Sequence, residues 1–155
     1  MLTKNPTLKN CVRAFPGARF HFRTTSAETG GSLAIVDITM SPGSEPIRHI
    51  HANEDETIIV HSGEIHYFPG EEKIIAKKGD VVFLPRGVPH HFKVISPIAN
   101  VTLVLTPGGF EHFFEGITFP FEGDDLPSVT SNAFTEEKRA RVKRLSEKFQ
   151  VQLLP

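Results

Sequence analysis

The chain has no tryptophan, a single tyrosine and a single cysteine, and its charges nearly cancel, with 17 Lys and Arg against 18 Asp and Glu. Each shortage excludes something. One cysteine, Cys11, cannot close an intramolecular disulfide, and a buried or idle thiol is expected there. Interspersed charge of both signs leaves no single-sign field of the kind that holds nucleic acid or an anionic membrane. No apolar run approaches the ~20 residues needed to cross a bilayer. The first fifteen residues carry Lys4, Asn5, Lys9, Asn10 and Arg13 and do not read as a secretory signal. A cytoplasmic protein is therefore expected. Thirteen phenylalanines set against that one tyrosine favour a dry interior over a polar, sugar-stacking surface.

At 155 residues the chain suits one domain with one core, spanning 1–155. In "ARFHFR" Phe20 and Phe22 alternate with Arg19, His21 and Arg23, the period-two pattern of a half-buried strand. "SAETGGS" supplies hairpin-loop glycines, and a β-branched strand runs from Leu33 to Met40, closed by the turn cluster "SPGSEP". Short segments then follow one another ("IRHIH", "ETIIVH", "EIHYFP", "KIIAK", "DVVFLP", "HHFKVI", "NVTLVLTP"), each bounded by turn residues or charges. Strands at this spacing, with no helical pattern between them, predict an all-β sandwich or small barrel, with the core at about 18–107. The pattern changes after Pro107. "GGFEHFFEG" reads as a short helix or turn, 117–132 as a connector, and Phe134 to Phe149 as an amphipathic helix with Val142, Leu145 and Phe149 on one side. A helical tail over about 108–155 is the expectation.

Chemistry concentrates in "HIHANEDETIIVHSGEI". Residues two apart on a strand share a face, so His49 and His51 project together while Arg48 and Ile50 point away. Two imidazoles on one face are half of a metal site. Glu56 opens the next strand, and His90 follows the Pro85-Arg86-Gly87 turn; in a closed barrel these regions can converge. Four polar groups buried together with no ion to offset their desolvation would be costly. His91 is expected to face away from His90. His61 and His66 are expected to be structural, His21 solvated, and His112 is a weaker candidate for a group behind the pocket.

Gly43, five residues, His49, one residue, His51, four residues, Glu56, six residues and Gly63 resemble the first motif of the cupin superfamily. Gly79, five residues, Pro85, Arg86, Gly87, two residues and His90 resemble the second. Val94 stands where the family often has an asparagine that is not a ligand. The segments "TPGGFEHFFEG" and "LSEKFQVQLLP" look like the tail of small cupins similar to quercetin dioxygenase. The resemblance implies a jelly-roll barrel, a homodimer, and one divalent transition metal held by His49, His51, Glu56 and His90. Nitrogen and oxygen donors without sulfur suit Fe, Mn, Co, Ni, Cu or Zn.

A metal-dependent, dioxygenase-like oxidoreductase acting on a small enolic or phenolic substrate is the first expectation, with Glu56 as both ligand and base. Ile58, Val60, Val82 and Leu84 would form the pocket wall and the tail phenylalanines a lid. The alternatives are another metal-dependent enzyme (isomerase, decarboxylase or hydrolase), which would need Arg48 or Arg86 aimed inward, and a non-catalytic metal or small-molecule binder. A cupin sensor attached to a transcription factor is not expected, since no helix-turn-helix pattern is left over.

Overall fold

The computed structural model describes residues 8–130 and 133–155. Residues 1–7, on which the absence of a secretory signal partly rests, lie outside it, as do Ser131 and Asn132 at the end of the expected connector.

The strands are β1 (Val12–Phe15), β2 (Ala18–Thr24), β3 (Ala34–Met40), β4 (His49–His51), β5 (Asp55–Ser62), β6 (Ile65–Tyr67), β7 (Ile74–Ala76), β8 (Val81–Leu84), β9 (Phe92–Val94), β10 (Ala99–Thr106), β11 (Phe119–Pro120) and β12 (Val151–Leu153). Three helices accompany them: α1 (Ser26–Thr29), α2 (Glu111–Ile117) and α3 (Glu136–Lys148). Seven strands form one antiparallel sheet in the order β11-β1-β2-β3-β10-β5-β8, and β7-β6-β9 form a second. Inward side chains of both sheets, among them Phe22, Val36, Val60, Leu105, Ile65 and Tyr67, meet in a single core. This is the jelly-roll barrel that the resemblance implies.

Alternation decides which residues enter. On β2 the buried positions are Ala18, Phe20 and Phe22, and on β5 they are Glu56, Ile58 and Val60. A carboxylate therefore occupies a core position, with Leu84 and Leu105 as its cross-strand neighbours. Gly63 sits between β5 and β6 at φ 87°, a region glycine enters without penalty. A Cβ there would lie 2.6 Å from the Ile98 carbonyl oxygen, so the close approach of the chain also requires glycine.

Three departures from the expected elements matter. The β2–β3 connection is more than a loop: Thr25 and Glu28 make a reciprocal cap around the single turn α1, with the Thr25 N–H donating to Glu28 Oε2 at 2.9 Å. Short β1 and β11 were not anticipated. Nor was β12, which pairs antiparallel with β4, Val151 opposite His51 and Leu153 opposite His49. The tail thus contributes a strand beside the histidine pair as well as the helix α3, whose Val142 and Leu145 pack against the core together with the following Phe149. Among the described residues no helix is long and apolar enough to cross a membrane.

Candidate metal centre

Two short elements carry the cluster. On β4, His49 and His51 face inward and Ile50 is less buried. One side of β4 is held by β12; on the other, His49 bridges His90, with the His49 N–H donating to His90 O at 3.0 Å and the His90 N–H donating to His49 O at 2.9 Å. Backbone pairing alone therefore sets the third imidazole beside the first two. β5 brings Glu56 from the large sheet. All four side chains are buried, His51 and His90 at 2 % exposure.

Each imidazole directs its Nδ1 outward to an acceptor. His49 Nδ1 is 2.7 Å from the Ile47 carbonyl oxygen, His90 Nδ1 is 3.1 Å from that of Val88, and His51 Nδ1 is 2.6 Å from Glu54 Oε1. These contacts suit a ring proton on Nδ1 in all three, the tautomer that leaves the Nε2 lone pairs free for an ion. Those nitrogens converge: His49 Nε2 and His51 Nε2 are 3.1 Å apart, and one ligand atom from each of the three histidines falls within 4.8 Å of the others. Glu56 closes the fourth side, with Oε2 3.1 Å from His90 Nε2 and Oε1 3.8 Å from His51 Nε2.

The test of fit is the His90 Nε2 atom. It is buried and has no hydrogen-bond partner although Glu56 Oε2 lies 3.1 Å away; with the ring proton on Nδ1 both atoms are acceptors. Buried polar atoms without partners are costly. Three lone pairs aimed at one point, with a carboxylate beside them, form a donor set that a divalent cation satisfies. The three histidines could hold a metal ion, and their chemistry fits one.

Burial, followed by the neighbouring His90, lowers His49 to about 4, so its ring is neutral and able to donate an electron pair. Burial would lower His51 as well, but the hydrogen bond to Glu54 and the charge of Glu56 outweigh it and raise the ring. For Glu56 burial pushes upward, yet the close approach of His90 and the influence of His51 and His49 prevail and bring it down to about 2. Glu56 is thus a carboxylate. Tyr67, inward on β6, is raised by burial and then by the field of Glu56.

The wall is apolar. Ile58, Val60, Val82 and Leu84 are all buried, and Phe110 at the start of α2 meets His51 edge-on, ring centroids 4.6 Å apart. Phe110 in turn contacts Phe113, Phe114 and Phe149, so the tail covers this side of the cluster.

Other candidates fall elsewhere. His91 stacks on Phe68 and lies 3.3 Å from Arg48, away from the Nε2 atoms. His61 bonds Thr102, His66 pairs with Glu64, and His21 lies beside Arg23. His112 pairs with Glu115 on an exposed face of α2 and does not reach the cluster. Arg48 donates to the Phe68 and Gly70 carbonyls, and Arg86 makes a two-pronged pair with Asp55, so both are engaged away from the histidine cluster. Cys11 is exposed rather than buried, because it precedes β1 at the sheet margin. Glu54 and Tyr67 were not singled out from the sequence. Glu54 lies in "ANED", which reads as a turn; its place three residues after His51 was the available signal.

The family model described as "Cupin domain" matches residues 36–109, which include all four cluster residues. The chain is 27% identical over 117 residues to the quercetin 2,3-dioxygenase of Bacillus subtilis (strain 168), covering 74% of this chain and 34% of that protein. It spans about a third of the length of the curated relatives it matches. Among solved structures, KdgF from Halomonas sp. superposes with a TM-score of 0.55 at 19% identity, over 62% of this chain and 84% of that one. The Streptomyces nucleoside dehydratase Pac13 gives 0.55 at 18% identity, over 71% and 88%. At such identities the structural likenesses establish the fold alone.

Proposed function

Because the chain belongs to the cupin superfamily, we propose that it is a metal-dependent, dioxygenase-like oxidoreductase acting on a small enolic or phenolic compound. His49, His51, His90 and Glu56 are its ligands in this reading. The observation that carries it is the convergence of three Nε2 lone pairs whose rings are locked by Nδ1 contacts. Two further features support the substrate class: the relatives above bear the name quercetin 2,3-dioxygenase, and the wall around the cluster is apolar and aromatic.

A divalent ion, when bound, supplies a positive charge that favours an enolate or phenolate oxygen and an open position for a small co-substrate. The residues of the chain do the rest. Glu56, held as a carboxylate, accepts the acidic proton of the substrate hydroxyl at an Oε atom. Ile58, Val82 and Leu84 bind an apolar ring face, and Phe110 excludes water from the side of His51. A sugar or phosphate substrate is disfavoured by the engagement of Arg48 and Arg86 elsewhere.

Metal analysis of protein purified without chelators, paired with oxygen-electrode traces over flavonols, catechols and β-diketones with each candidate ion added back, tests the reading. Near-stoichiometric metal with substrate-dependent oxygen uptake is expected. A filled site with flat traces throughout moves the function to an oxygen-independent enzyme or a binding module.

A further inference from the structure

The three imidazoles are not held alike. His49 and His90 each lean on a backbone carbonyl, a neutral acceptor, whereas His51 leans on the carboxylate of Glu54 at 2.6 Å, the shortest of the three contacts. Glu54 is itself buried, at 6 % exposure, and ionisable side chains rarely occupy such positions without a reason. It enters because the turn between β4 and β5 folds it back against His51, while Asp55 leaves toward Arg86 and Glu56 enters the core. His51 thus has one carboxylate behind it at Nδ1 and another 3.8 Å from its Nε2.

We propose that Glu54 is a positioning residue of the metal centre, which fixes His51 as its strongest nitrogen donor and supplies the second of two negative charges that match a divalent ion. This deepens the proposed function and rests on it. A carboxylate acceptor orients the ring, holds its proton on Nδ1 and makes Nε2 more electron-rich than a carbonyl acceptor does. Metal binding requires neutral imidazoles and displaces any proton on Nε2, so in the loaded cluster the two carboxylates balance the divalent ion, the least costly state in a low-dielectric interior. Removing Glu54's charge leaves the loaded cluster with an uncompensated positive charge.

The test is equilibrium titration of the metal-free protein with Co(II), read by its visible absorption bands, with chelator competition to set the scale. Glu54→Gln keeps the size and an acceptor oxygen but loses the charge. It is expected to weaken Co(II) binding about 10- to 100-fold and to shift the bands, while Glu54→Asp falls between it and the wild type. Urea unfolding of each metal-free variant reads folding separately. A folded Gln variant with wild-type affinity and bands overturns the proposal. Should the Gln variant not fold, an Asp variant indistinguishable from wild type in affinity and bands overturns it equally. Wild-type protein that takes up no Co(II) overturns the metal reading itself, and this inference with it.

Discussion

In the proposed metal centre each imidazole uses its two nitrogens differently, one to be held and one to bind, and substitutions there should separate the two uses. His49→Ala or His90→Ala should leave protein that no longer retains metal after desalting. Such protein should also lose the ion's contribution to stability, about 2.7 kcal/mol when free metal is a hundred times its dissociation constant. His91→Ala should keep both, because His91 stacks on Phe68 instead. Elemental analysis with thermal melts in the presence and absence of chelator checks all three. Away from the metal, Gly63→Ala should destabilise by roughly 1–3 kcal/mol through its positive φ, and more if the crowding against the Ile98 carbonyl does not relax. Urea denaturation of the metal-free protein measures this. The histidine pair was legible from its spacing, and the motif glycines from the family resemblance. Glu54 was not, since a turn pattern does not say which of its carboxylates folds inward.

At the scale of elements, the tail and the barrel are tied at two points. β12 lies along β4, so a chain ending at Gln150 should keep α3 but lose the strand that flanks His49 and His51. A lower melting temperature and weaker metal retention, with helical circular dichroism largely kept, are the expected results; undiminished metal retention would show that β4 needs no partner on that side. The other tie is Glu111, fully buried, which accepts from the Ser26 N–H at 2.7 Å and the Gly109 N–H at 2.6 Å. Burial pushes its carboxyl up, but these contacts outweigh burial and hold it below the ordinary carboxylate value of 4.5. A folded-state value below the unfolded one means stability that is present above about pH 4.5 and lost as the pH falls through the folded value. Glu111→Gln should therefore cost roughly 1–3 kcal/mol at neutral pH and flatten the acid side of the stability profile, as measured by urea unfolding at pH 7 and pH 3.5. The amphipathic helix was legible because its Val142 and Leu145 repeat at helical spacing. The three residues of β12 have no such repeat, and their strand character comes from β4.

For the whole molecule, the family resemblance implies a homodimer, and light scattering at micromolar concentration should return twice the chain mass; a monomer would remove that expectation. The barrel itself follows from alternation repeated along the chain. Phe20 and Phe22 declare an inward face by alternating with Arg19, His21 and Arg23, because a strand has only two faces and water excludes apolar side chains from one of them; β8 is apolar at every position, and the structure alone buries Val82 and Leu84 while exposing Val81 and Phe83. By itself the sequence therefore determined most of the barrel strands, the buried side of β2, and the shared face of His49 and His51. Only the tertiary structure decided which strands lie side by side, and hence that His90 meets His49 through a backbone bridge, that the tail strand closes the other edge of β4, and that Glu54 turns inward. Alternation is a local property of the chain, whereas pairing between distant segments depends on the closure of the barrel as a whole.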